Sequence, residues 1–168
     1  PILDNIVREK ELGTLTPGVR ALLLYPMNAL ANDQLKRLRQ LMGTYPDIPC
    51  GRYTGDTEES PAKAREMFSE LNIGELLLPN ELLSREEMRS APPHILLTNY
   101  AMLEYLLLRP QDSGLFLNNE NSWRFIVVDE AHVYDGSQGA EIAMLLRRVK
   151  DRVAPDRKIQ YIATSATV

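Results

Sequence analysis

Phe125-Ile126-Val127-Val128-Asp129-Glu130-Ala131-His132 runs from an unbroken apolar stretch straight into two adjacent carboxylates. A short run with no polar face reads as a strand buried on both sides, as in a parallel sheet. Ligands of open parallel sheets bind beyond the carboxyl ends of the strands. An aspartate placed there can hold a magnesium ion, mostly through water, and that ion can bridge nucleotide phosphates. A glutamate beside it can orient and deprotonate an attacking water. The plainer reading, that Asp129 and Glu130 open a solvated loop and that His132 bonds only locally, stays open on these residues alone.

Working outward, the same kind of segment recurs. Ala21–Tyr25 is nearly all apolar and ends at Pro26; His94–Thr98 and Ile159–Ala163 are further strands, and Cys50–Tyr53 is a short one. Between them the spacing predicts helices. Residues 2–10 place Ile2, Leu3, Ile6 and Val7 on one face, and about Asn28 to Met42 turns Ala31, Leu35, Leu38 and Met42 inward. Pro61 starts a helix to about Leu71, and Tyr100–Leu108 forms another. Ser137 caps a long helix ending near Val153, with Ile142, Leu145, Val149 and Val153 inward. Residues 72–93 resist assignment; Glu81–Arg89 reads as a short helix, stopped by Pro92-Pro93. Asp112–Trp123 reads as a loop carrying an apolar plug of Leu115, Phe116 and Leu117. Strands alternating with helices imply an α/β fold, a mostly parallel sheet in three α/β/α layers.

The 168 residues are enough for one domain and carry a net charge of −4. That balance is not the footprint of a protein that grips nucleic acid by bulk charge, although backbone amides can still take phosphates. One cysteine, Cys50, excludes an internal disulfide and a cysteine zinc site, and a reduced thiol points to the cytoplasm. No apolar run approaches the roughly 20 residues that cross a bilayer.

Asp129-Glu130-Ala131-His132 resembles motif II, the Walker B sequence, of the superfamily 2 DEAD/DEAH-box helicases. Thr164-Ser165-Ala166-Thr167 resembles their motif III at the end of the next strand. Upstream, Leu24-Tyr25-Pro26-Met27-Asn28-Ala29-Leu30-Ala31 with Gln34 is similar to motif Ia, Tyr53-Thr54-Gly55-Asp56 to the glycine turn that follows it, and Leu97-Thr98-Asn99-Tyr100 to motif Ib. The resemblance implies the first RecA-like, P-loop NTPase domain of an ATP-dependent helicase or translocase, using ATP and Mg2+. It implies that Asp129 holds magnesium and Glu130 polarises the hydrolytic water. His132, Ser165 and Thr167 would couple nucleotide state to a second RecA-like domain. Pro26, Asn28, Ala29, Gln34, Thr54, Gly55, Thr98 and Asn99 would line the face that tracks a nucleic-acid strand, mostly by its sugar-phosphate backbone. Ser165 and Thr167 also read as strand-end hydrogen bonders, and Asn28 as a helix cap.

One part is missing. No G-x-x-x-x-G-K-[ST] string occurs, and none of Lys10, Lys36, Lys63, Lys150 and Lys158 follows a glycine. That loop supplies the amides and the lysine that cradle the phosphates. The sequence is read as residues 1–168 of a partial ATP-binding domain cut at both ends, rather than as a degenerate relative. By itself it is expected to be inactive. In the family the P-loop strand lies beside the motif III strand, so Ile159–Ala163 is expected at an exposed edge, and any homodimer is expected to come from the cut.

His132 in place of an aspartate, and Thr98-Asn99-Tyr100 in place of threonine, proline and glycine, depart from the RNA-directed members. They are more similar to large bacterial Lhr-like and repair or defence-associated DNA helicases. DNA is therefore expected over RNA. The alternatives are an RNA helicase, a motor subunit of a restriction or phage-defence complex, and a non-catalytic interaction domain.

Overall fold

The structure, a computed structural model, describes residues 1–26, 32–117 and 121–165, and only the backbone of residues 32–34. Among the described residues six strands form one sheet in the order β3-β2-β4-β1-β5-β6, and each of these pairings is parallel. They are β1 Ala21–Tyr25, β2 Cys50–Arg52, β3 Glu81–Leu82, β4 Ile95–Asn99, β5 Phe125–Val128 and β6 Gln160–Ala163. The helices are α1 Ile2–Glu11, α2 Asn32–Gly43, α3 Pro61–Leu71, α4 Arg85–Ser90, α5 Tyr100–Leu108 and α6 Gly136–Val153.

Alternation along the central strands divides the core. Leu22, Leu24, Leu96 and Ile126 face α5 and α6, where Leu103, Leu106, Leu145, Val149 and Val153 are buried. Leu23, Tyr25, Ile95 and Leu97 face the other way, onto Ile6 of α1 and Leu38 and Met42 of α2. Helices on both faces make the three layers, and β6 is the sheet edge beyond β5, with Tyr161 half exposed. Among the described residues no helix is long and apolar enough to cross a membrane.

Several elements differ from the sequence reading. Glu81 and Leu82 are not helical; they pair with Cys50 and Gly51 as β3. Arg39 of α2 reaches across to Glu81, with Nε 3.0 Å from Oε2, and this cross-sheet ion pair has no local signature. The helix expected there begins only at Arg85, after the Ser84 cap. Asp135, not Ser137, precedes α6, and no side chain caps it. The Asp112–Trp123 loop opens with a 3-10 turn over Pro110–Leu115. In the plug Leu115 and Phe116 are fully buried, but Leu117 is not; Trp123 takes its place, stacked on Phe116 with ring centroids 5.8 Å apart. β2 stops at Arg52, although the Tyr53 amide still donates to Leu97 O at 2.8 Å. Ala31 lies outside the described residues.

Gly51 shows how closely α4 sits on β2. A Cβ there would lie 2.5 Å from Met88 Sδ and 3.2 Å from Leu82 O, and Met88 is fully buried. Gly51→Ala is therefore expected to lower unfolding free energy by about 1–3 kcal/mol, the usual effect of overpacking. Urea denaturation checks this, and an unchanged midpoint would mean that α4 is free to shift. Beside it, burial and then the Glu81 charge push the Cys50 thiol up to about 12, so it stays protonated and unreactive.

Candidate nucleotide and nucleic-acid rim

Because all six strands are parallel, their carboxyl ends share one rim. Across it, Thr54 and Gly55 follow β2, Thr98 and Asn99 close β4, Pro26 follows β1, Asp129 and Glu130 follow β5, and Thr164 and Ser165 follow β6. The β5 end and the β2 end are three strand spacings apart, about 14 Å. The rim thus has one side with two adjacent carboxylates and another of mostly small polar residues, with Asp56 as its exposed carboxylate.

On the acidic side, Asp129 N donates to Leu24 O at 2.9 Å and Thr164 N to Val128 O at 3.0 Å, so β5 and β6 stay zipped to their ends. Thr164 Oγ1 donates to Asp129 Oδ1. Glu130 then takes the left-handed conformation, φ +50°, which is uncommon for a side chain of this kind. Two bonds hold that bend: Ala131 N donates to Thr164 O at 2.8 Å, and Val133 N to Glu130 O at 2.9 Å. It brings Glu130 Oε2 to 3.3 Å from His132 Nδ1, and Ser165 Oγ lies 3.0 Å from the same nitrogen. A serine, a histidine and a carboxylate at one place invite comparison with a hydrolytic triad. Both partners meet Nδ1, whereas a triad uses opposite ring nitrogens, so this is no nucleophile. A single nitrogen can give a proton to Glu130 or take one from Ser165, not both. The geometry therefore ties the motif III strand end to Glu130.

Two tyrosines border Asp129. Burial, and then the negative charge of Asp129, push the Tyr25 and Tyr134 phenols up, so both stay neutral there. A Cβ on Gly139 would lie 2.8 Å from Tyr134 O, so the start of α6 presses on the segment after His132.

The side around the turn after β2 is built differently from the sequence expectation. Thr98 is fully buried, and its hydroxyl donates to Tyr53 O at 2.7 Å. Its side chain supports this face from within and does not reach its surface. Asn99 caps α5, its Oδ1 accepting from Met102 N at 2.8 Å. Thr54 is mostly buried, whereas Gly55 and Asp56 are exposed at the turn tip. Asn28, Ala29 and Thr167 lie outside the described residues, as does the Gln34 side chain. The sequence reading overlooked Arg85 and Asp112, which brace this turn; neither stands in a motif, and only their contacts reveal them.

Among the described residues no three acidic, histidine or cysteine side chains cluster as a metal cage. Asp129 still fits magnesium, which keeps most of its waters and takes one or two protein carboxylates plus substrate phosphates.

The sequence profile described as DEAD/DEAH box helicase matches residues 1–168. The Druantia protein DruE of Escherichia coli is 30% identical over 100% of this chain, which covers 14% of that protein. The crystal structure of the DUF1998 helicase MrfA bound to DNA superposes with a TM-score of 0.66 at 30% identity, over 100% of this chain and 18% of that one. The Mycobacterium smegmatis helicase Lhr bound to ssDNA and AMP-PNP gives a TM-score of 0.60 at 26% identity, over 99% and 19%. The chain thus spans less than a fifth of each relative's length. With the whole sequence matched and the motif strings at the strand ends, the chain belongs to the DEAD/DEAH box helicase family.

Proposed function

We propose that these residues form part of the first motor domain of an ATP-dependent helicase or translocase that runs on a strand of DNA. The observation that carries this reading is the single rim, with adjacent carboxylates after β5 and an exposed glycine turn after β2. In it Asp129 would hold hydrated Mg2+, which would supply positive charge to offset that of the ATP phosphates. Glu130 accepts the proton of the attacking water. His132, with Ser165 and Thr167, relays the state of the acidic side to a second RecA-like domain. Pro26, Asn28, Ala29, Gln34, Gly55 and Asn99 meet the track, and Thr54 and Thr98 shape it.

Backbone-directed contact of this kind suits a motor that must accept any sequence and reconciles an acidic chain with a polyanionic track. The similar MrfA structure is bound to DNA and the Lhr structure to ssDNA, which supports DNA here. Full-length protein assayed for ATP hydrolysis alone, with single-stranded DNA and with RNA decides the track. Stimulation by DNA is expected; stimulation by RNA alone would keep the mechanism and reverse the substrate.

Gly55 gives a separate check. A Cβ there would meet nothing within 4 Å, and its φ needs no glycine. Gly55→Leu is expected to leave the melting temperature unchanged while weakening single-stranded DNA binding about 10-fold or more, by blocking close approach of the strand. Unchanged affinity would remove this turn from the track.

A further inference from the structure

The turn after β2 is gripped by a side chain 30 residues further along the chain. Arg85, the first residue of α4, donates through Nη2 to Thr54 O at 3.2 Å and to Gly55 O at 2.9 Å. Its Cζ stands 5.5 Å from the centre of the Tyr53 ring. The turn also closes on itself: Thr57 N donates to Thr54 O at 3.3 Å, and Thr57 Oγ1 accepts from Thr54 N at 2.9 Å and donates to Arg52 O at 2.8 Å. With these carbonyls drawn toward Arg85, the amides of Gly55 and Asp56 donate to no group among the described residues. Successive free amides in a turn form a concavity suited to an anion.

Arg85 is itself fixed. Ser84 and Glu87 form a capping box at the start of α4, and the amides of Arg85 and Glu86 donate to Glu58 O at 2.9 Å and Glu59 O at 3.2 Å. Beneath it, Tyr53 OH donates to Asp112 Oδ1 at 2.5 Å, Asp112 is fully buried, and Arg89 Nη1 lies 3.6 Å from the same oxygen. Burial, then the bond to Asp112, push the Tyr53 phenol up, so it remains a donor. Helix α4 is thus a bracket whose working arm is Arg85.

We infer that Arg85 is a positioning residue for nucleic-acid binding: by holding the Thr54 and Gly55 carbonyls it keeps the Gly55 and Asp56 amides open to one backbone phosphate of a single strand. This inference rests on the nucleic-acid reading of the rim.

The test uses the full-length protein and a single-stranded DNA oligonucleotide in which one neutral methylphosphonate linkage is walked along the backbone, with binding followed by fluorescence anisotropy. In the wild type, neutralising the phosphate at this turn is expected to weaken binding about 10-fold, the scale of one charge-assisted hydrogen bond. In Arg85→Met, whose unbranched stem still covers Tyr53, that position-specific penalty should fall below about 2-fold. Arg85→Lys should behave likewise, because an ammonium lacks the planar fork that spans two carbonyls and stacks on a ring. The penalty is a ratio of two affinities, so a smaller folded fraction in a variant does not alter it. The same penalty at the same position in Arg85→Met would overturn the inference. So would its restoration by Arg85→Lys, which would mean that charge rather than placement matters. A wild type that binds neither single-stranded DNA nor RNA would overturn the nucleic-acid reading itself.

Discussion

Replacing Glu130 by glutamine in the full-length protein is expected to lower DNA-stimulated ATP hydrolysis by about 10²–10⁴-fold, the contribution typical of a general base. Glutamine matches the size of Glu130 but cannot accept a proton from water. The left-handed bend rests on backbone bonds from Ala131 and Val133, which the substitution leaves in place. ATP binding and the melting temperature should therefore be preserved, so the loss should appear in kcat and not in KM. Single-turnover hydrolysis with and without single-stranded DNA measures it. A rate within about threefold of wild type would remove Glu130 from the proton transfer. It would also favour the reading of this rim as a degenerate binding scaffold.

The second large effect is on stability, and it lies at the opposite end of the sheet. Arg20 is 1% exposed and leads into β1. Its Nε donates to Glu9 Oε2 at 2.7 Å, and its other nitrogens reach Gly18 O at 3.2 Å and Thr16 O at 2.9 Å. Arg124, leading into β5, gives Glu9 Oε1 a second partner at 3.1 Å. Glu9 of α1 thus joins the starts of two neighbouring strands. Glu9→Ala leaves a buried guanidinium without its counter-charge, which costs about 3–5 kcal/mol when a buried pair is broken from one side. Against a total of about 5–15 kcal/mol for a domain, that brings the chain close to unfolding at 37 °C. Urea denaturation at pH 7 checks it, and a loss below about 1 kcal/mol would mean that water reaches Arg20 easily.

The same network sets an acid limb. Burial alone would push the Glu9 carboxyl up, but the Arg20 hydrogen bond and charge, then Arg124, outweigh it and hold Glu9 below its ordinary 4.5. A lowered carboxyl binds fewer protons in the folded state than in the unfolded chain. Its stabilisation is therefore complete above the ordinary value and is lost as pH falls through the lowered one. The difference in stability between wild type and Glu9→Gln should be constant from pH 7 to about 5 and shrink below 4.5.

Local sequence reached far into this molecule. β1, β4 and β5 read correctly to within a residue or two because a strand inside a parallel sheet, covered by helices on both faces, is apolar nearly throughout, a condition each segment carries within itself; β6 was legible from its apolar run although it lies exposed at the sheet edge. The inward stripe of α6 read correctly for the same reason: Ile142, Leu145, Val149 and Val153 are all buried. The order of the motif strings was legible too, since each string ends a strand and parallel strands must end on one side.

Which strands become neighbours is another matter. β1 lies between β4 and β5, and β2 beyond β4, an arrangement no window of residues records. Glu81-Leu82 looked helical because a two-residue strand has no period; it is held by Asn80 O accepting from Cys50 N at 2.9 Å and by Arg39. Thr98 and Gly55 looked alike as track-facing residues near strand ends, yet one is wholly buried and the other open at the tip of its turn. Arg85 sat in a segment that resisted assignment, and its role appears only where α4 meets the turn after β2. Hydrophobic period fixes which face of a segment turns inward. The partner of a carbonyl or a buried charge depends on which distant segment the folded sheet brings beside it, and that only the tertiary structure decides.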